Sequence, residues 1–165
     1  MIDKIIAQAH YSLSGCSVTT HLKPLAIATN ILQASHARLD HVLFTLANLY
    51  HTYSADEIEP DVRDHMLGKL EARWEKNADQ DLFILAGFLN PYVRASCFNQ
   101  QVLCGQDIVN LAIRVFTRLF ECKPEASFSM AVESYMYREG HYSDEAMSLS
   151  QHLSNANHNV SKKRL

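Results

Sequence analysis

The run Leu70-Glu-Ala-Arg-Trp-Glu-Lys-Asn-Ala-Asp-Gln-Asp-Leu-Phe-Ile-Leu-Ala-Gly-Phe-Leu-Asn-Pro-Tyr-Val-Arg-Ala-Ser-Cys-Phe98 holds the only tryptophan, the longest apolar segment and one of the four prolines of the chain. Upstream of it, Pro60 suits the first position of a helix, and Asp61 and Asp64 follow at the positive end of its dipole. Val62, Met66, Leu67, Leu70 and Trp74 then recur at helical spacing on one face. Asn77-Ala78-Asp79 breaks the pattern, and Asp79 has the chemistry of an N-cap. Leu82 to Leu89 is apolar throughout, which suits a buried strand or a buried helix alike. Leu82, Ala86 and Leu89 favour helix, while Gly87 counts against it by roughly 1 kcal/mol. Asn90-Pro91 ends the segment, because a residue before proline avoids helical backbone angles. The reading is a short buried helix, and with it an all-helical chain.

Size and composition agree. A chain of 165 residues can bury roughly 70% of its unfolded surface as one domain. Apolar content of 47% and charged content of 20% are those of a globular protein, not a disordered one. Five glycines and four prolines are too few for a sandwich of many short strands. No apolar run reaches the ~18 residues that cross a bilayer. Met1-Ile-Asp-Lys-Ile-Ile has neither the basic flank nor the long apolar core of a secretory signal. Cys16, Cys97, Cys104 and Cys122 match no disulfide framework and no Cys-x-x-Cys metal site, so free, mostly buried thiols in a reducing compartment are expected.

The net charge of −3 does not point to a nucleic-acid groove. Its distribution is uneven: residues 56–81 carry nine acidic and four basic side chains. The terminal Lys162-Lys163-Arg164 fits either a frayed, solvated end or a segment that touches phosphate or serves nuclear import.

Working outward, residues 2–13 are expected to form a helix with Ile2, Ile5, Ile6, Ala9 and Leu13 on one side, stopped by Ser14-Gly15. Thr19 or Thr20 caps a second helix to about Gln33, with Pro24 in its first turn and Leu22, Leu25, Ala28, Thr29 and Leu32 facing inward. Ala34-Ser35-His36 is a hinge. The next helix has the clearest stripe, Leu39, Val42, Leu43, Leu46, Leu49, Tyr50 and Tyr53, and should pack antiparallel on the one before. Ser54 to Glu59 is an acidic loop. Tyr92 to Gln106 is mixed, with room for a short helical turn. Gln106 or Asp107 caps a helix that aligns Ile108, Leu111, Ala112, Val115, Leu119 and Phe120 and ends at Lys123-Pro124. Phe128 to Arg138 is shorter, carries Met130, Val132, Tyr135 and Met136, and stops at Gly140. Ser143 caps a last, polar helix. The architecture expected is an irregular bundle of about seven helices over residues 1–153, followed by a loose polar and basic tail over 154–165.

Nine histidines invite a metal hypothesis: His10, His21, His36, His41, His51, His65, His141, His152 and His158. None stands in a His-Glu-x-x-His motif. Adjacent Asp40 and His41 diverge by about 100° on a helix, and His36 with Asp40 reads as a surface pair. Asp79 and Asp81 flank the buried segment, where a carboxyl pKa can rise, but capping and dipole compensation account for both. Glu133 and Glu139 have no partner base. Trp74 could stack on a nucleobase, yet its place on the Val62–Met66–Leu70 stripe suits a core. Packing also explains Tyr135, Tyr137 and Tyr142. Phosphate loops and nucleophile elbows are missing.

Three blocks in order resemble hAT-type transposase-derived proteins of fungi. The central one is Leu70-x-x-Arg73-Trp74, Asp79, the apolar segment to Leu89, Asn90-Pro91-Tyr92 and Arg94. Upstream stands Leu22-Lys-Pro-Leu-Ala-Ile-Ala-Thr-Asn-Ile-Leu-Gln with Arg38-Leu39-Asp40; downstream, Tyr137-Arg-Glu-Gly-His-Tyr-Ser-Asp-Glu-Ala. Together they span roughly residues 20 to 150. That family has a ribonuclease-H-like core interrupted by a helical insertion, and cuts DNA with metal ions held by two aspartates before the insertion and a glutamate after it. The resemblance implies that this chain corresponds to the insertion. No segment matches the aspartate strands, the glutamate segment or the family's zinc finger, and ion clamping needs every carboxylate. The expectation is therefore a non-enzyme with no catalytic, cofactor or metal residues, and a nuclear protein by resemblance. It would pair with itself or with a parent-type transposase through an exposed apolar face, and DNA contact stays open. A free-standing helical interaction module is the alternative, with a metal-dependent hydrolase built on scattered His and Asp as a third reading.

Overall fold

A computed structural model describes residues 15–154. The helix expected over 2–13 and the tail over 155–165 lie outside them. Among the described residues every element is helical and no strand occurs. The chain falls into two compact units, Met1–Phe83 and Ile84–Leu165.

In the first unit α1 (Gly15–Leu32), α2 (Leu39–Tyr53) and α3 (Pro60–Asn77) follow one another, and α2 packs on both neighbours. α1 begins earlier than Thr19 and includes Gly15, so neither Ser14-Gly15 as a stop nor Pro24 in a first turn holds. Pro24 lies in the helix interior, where its ring removes one intrahelical hydrogen bond at a cost of ~3 kcal/mol. Burial offsets it: Ala28 packs with Leu49 and Tyr53, flanked by Leu25, Met66, Leu67 and Leu70. The fully buried Tyr53 donates its hydroxyl to the His21 carbonyl at 2.6 Å. This bond ties the end of α2 to the early part of α1, so the two helices run antiparallel, as their short connection requires. Tyr53→Phe should lower the unfolding free energy by about 1 kcal/mol in a denaturant titration.

The stripe on α2 is rotated from its expected phase. Asp40, Thr45, Leu49 and Tyr53 are buried, while Leu39 and Tyr50 are exposed. A salt bridge decides the phase at the start of the helix. Arg38 donates to the buried Asp40 carboxylate through Nε at 2.9 Å and Nη2 at 2.5 Å, a fork that neutralises the charge as it leaves water. Asp40 is thus not the surface residue expected.

α3 starts at Pro60, and Val62, Met66, Leu67, Leu70 and Trp74 are half-buried. Asp79 caps α4 (Gln80–Phe88) by accepting the Leu82 N–H at 3.2 Å. Asp79→Ala should cost about 1 kcal/mol, readable as a lowered melting temperature.

In the second unit α5 (Gly105–Phe120) packs on α6 (Ala126–Met136). Its core joins Phe88, Ile108, Val109, Ala112, Val132 and Tyr135. The cap of α5 is Cys104, not Gln106 or Asp107. Asp107 is the third helical residue and accepts the Cys104 N–H at 2.9 Å in a capping box. The Cys104 contacts hold the Asp107 carboxyl below its usual 3.8. A depressed carboxylate stabilises above the unfolded pKa, and its contribution is lost as pH falls through the folded one. The stability gap between wild type and Asp107→Asn should therefore persist at pH 6 and narrow as the pH falls below the ordinary carboxylate range.

Leu119 and Phe120 do not join the core; they are 61% and 63% exposed. The helix ends at Phe120 and Glu121 turns left-handed (φ 54°) before Lys123-Pro124 is reached. Met130 is also exposed. α6 runs from Ala126 to Met136 rather than from Phe128 to Arg138. Its stop is Arg138 (φ 62°), not Gly140. Glu139 N–H bonds to Ser134 O at 2.9 Å and Arg138 N–H to Tyr135 O at 3.4 Å, the paired bonds of a Schellman motif. Gly140 (φ +54°) opens the following 3-10 turn. Ser143 caps a turn by accepting Ala146 N–H at 3.1 Å. The last helix is not continuous from there, because Ser148 (φ 52°) interrupts it before residues 149–154 resume. Ser154, expected in the loose tail, is the last of these helical residues.

Candidate interaction surfaces

The densest polar site in the second unit is built around Arg94, at the head of the 3-10 turn Arg94–Cys97. Asn90 accepts Tyr92 N–H at 3.1 Å and turns the chain after α4. Arg94 then takes a left-handed backbone angle (φ 49°) and is 1% exposed. Its Nε donates to Pro91 O at 3.2 Å, Nη1 to Tyr135 O at 3.0 Å and Nη2 to Tyr142 O at 2.8 Å. Nη2 also meets Asp144 Oδ1 at 3.3 Å, and Arg138 Nη1 holds the other oxygen at 2.5 Å. The guanidinium carbon lies 4.8 Å from the Tyr135 ring centre, and Tyr135 donates to Leu89 O at 2.8 Å. Burial pushes the Tyr135 hydroxyl pKa up, partly countered by Arg94. The donors of this site are turned on the protein's own carbonyls, so it works as a clamp on three segments of the chain, not as a pocket for a substrate.

Two open grooves mark the first unit. One lies between α1 and α2, about 730 Å³, floored by Ala28, Thr45 and Leu49 and walled by Ile27, Ile31 and Phe44. Lys23, His36 and His41 stand at its rim. Leu22, Ile27 and Ile31 are 56%, 47% and 41% exposed; Leu22 and Thr29, expected to face inward, do not. α1 is apolar on nearly every side, and α2 with α3 covers one side only. The second groove, about 240 Å³, lies between α2 and α3 and is lined by Leu43, Leu46, Ala47, Tyr50, Leu70, Glu71 and Trp74. Tyr50 donates to Glu71 Oε1 at 3.2 Å, and that carboxylate raises the Tyr50 pKa.

The residues singled out for chemistry do not converge. Among the described residues no group of three or more His, Cys, Asp and Glu is placed to hold a metal ion. Asp79 caps α4. Glu133 and Glu139 are exposed. Trp74 lies against Phe83, ring centres 6.5 Å apart, at the edge of the second groove. Tyr135 is core, Tyr142 packs edge-on to it at 5.6 Å, and Tyr137 is exposed. Cys97, Cys104 and Cys122 are free thiols, but at the surface rather than buried: two stand in turns and one caps α5. No helix among the described residues is long and apolar enough to cross a membrane.

Sequence periodicity missed the α1/α2 groove. The signal was available: Ile27 and Ile31 are four apart and form a second stripe that no single buried face can absorb. The burial of Arg94 left no sequence mark. Comparison with protein-family models, with curated proteins and with solved structures gives no match to this chain.

Proposed function

We propose that this chain is a non-catalytic helical region whose work is to bind protein, and that it descends from a hAT-like transposase. One observation carries the first part. α1 turns Ile27 and Ile31 to solvent beside a groove of about 730 Å³ with an apolar floor. Contiguous apolar surface of this kind marks an interaction site. The occupant proposed is a second copy. A two-fold pairing sets the Ile27–Ile31 ridge of each α1 over the groove of the other, a self-complementary contact. The acidic balance of residues 56–81 disfavours a phosphate backbone as partner.

The descent rests on the order of the three sequence blocks. On that lineage the protein works in the nucleus.

Light scattering over a concentration series tests the pairing. The wild type should double its mass as concentration rises. Ile27→Glu with Ile31→Glu should weaken association at least ~30-fold, since together they remove interface anchors worth about 2 kcal/mol or more. A wild type that stays monomeric at high concentration and binds no apolar dye sinks the proposal.

A further inference from the structure

The α2/α3 groove has a different character, and its chemistry names a partner. Leu43, Leu46, Ala47, Leu70 and Trp74 make it apolar, and the one charged side chain lining it is Glu71. Apart from Arg63, which faces Asp56 of the preceding loop, the charges flanking the groove on α3 are sorted about it. Asp64, Glu71 and Glu75 are exposed and spaced by seven and four residues, which stacks them on one side of the helix; Glu71 lines the groove, Glu75 follows it by one turn and Asp64 lies two turns before it. Lys69, Arg73 and Lys76, spaced by four and three, fall on the side turned away from it. The acidic edge runs about 16 Å at 1.5 Å per residue, the length of three turns of a helix. Gly68 sits within it. A Cβ there would meet nothing within 4 Å, so no packing inside the chain asks for a glycine that costs the helix ~1 kcal/mol.

We infer that the groove between α2 and α3 binds a basic amphipathic helix of another protein. The partner's apolar side lies over Leu43, Ala47 and Trp74, and its Lys and Arg side chains meet Glu71, Glu75 and Asp64. Burial of the apolar side supplies affinity, and the sorted charges supply orientation and choice of partner. The inference deepens the protein-binding reading but uses a separate surface from the one proposed for self-pairing.

Trp74, the chain's only tryptophan, is a built-in probe. Two synthetic helices with the same leucine face, one with lysine and one with glutamate on the other side, are titrated into the full chain while Trp74 emission is followed. The lysine helix should saturate the signal, bind at least tenfold tighter than the glutamate helix and weaken as salt is raised. Glu71→Lys with Glu75→Lys should weaken it at least tenfold, and so should Ala47→Arg, which sets bulk and like charge at an exposed position in the groove. Glu133→Lys with Glu139→Lys, the same charge change in the other unit, should leave it unaltered. Equal binding of the two helices, or equal loss in both double variants, overturns the inference. So does a tenfold gain on removing Lys162–Leu165, which would make the chain's own tail the occupant. Repeating the titration in the Ile27→Glu, Ile31→Glu chain separates the two proposals: the lysine helix should still bind there, whether or not the wild type pairs.

Discussion

Arg94→Met should destabilise the second unit by about 3–5 kcal/mol, the cost of breaking a buried, hydrogen-bonded charge network at one partner. Methionine matches much of the side-chain volume but donates nothing. The carbonyls of Pro91, Tyr135 and Tyr142 then lose the donors that reach them from Arg94, each at roughly 1–3 kcal/mol where water cannot replace it. Asp144 suffers less, because it is half-exposed and keeps Arg138. Arg94→Lys should fall between, near 2 kcal/mol, since one ammonium cannot repeat the guanidinium fork. For a unit of this size each kcal/mol lowers the melting temperature by roughly 4–8 °C, so the methionine protein should melt well over ten degrees early. A shift under three degrees would mean that the clamp contributes little to stability.

Phe88→Ala should cost about 3–5 kcal/mol. Phe88 is 1% exposed and meets Tyr135 edge-on, with ring centres 5.3 Å apart. Leu85, Ile108, Ala112 and Val132 belong to the same cluster. The ring is the one large side chain of α4 wholly inside this core, so its removal opens a cavity that backbone shifts cannot close. Phe88→Leu should recover more than half of the loss in a denaturant titration with unchanged slope. Full stability in the alanine protein would show that the core is not closed by α4.

These two side chains mark where sequence reading succeeds and where it stops. The helix start at Pro60, the cap at Asp79 and the end of α4 before Asn90-Pro91 were legible because each rests on a local rule of backbone chemistry; the burial expected over Leu82–Leu89 is reached only at Gly87 and Phe88, and Leu89 is 55% exposed. Periodicity located α2 and α5, but not the outward turn of Leu39, Tyr50, Leu119 and Phe120. A stripe fixes which residues share a side, not how far along it a neighbour reaches. Caps and stops were misread where an uncommon residue fills a common role. Cys104 caps α5, and Arg138 takes the left-handed stop that glycine usually supplies. Arg94 was beyond local rules, since apart from the Pro91 carbonyl its partners lie more than forty residues away.

The grooves show the same division. Apolar residues on every side of α1 signalled more apolar surface than one neighbour covers, yet only the packing of α1 on α2 reveals which residues remain outside. The sorting of charge on α3 could be read from spacing alone. That the acidic side, not the basic one, borders the groove comes from Glu71, which lines it and accepts the Tyr50 hydroxyl of α2.

The account turns on whether the open face of α1 meets a second copy. Methyl resonances of Ile27 and Ile31, followed from high concentration to low, report on that face directly. Both should shift on dilution while Ile108, buried in the other unit, holds still. Resonances of Ile27 and Ile31 that stay fixed over a thousandfold dilution would contradict it.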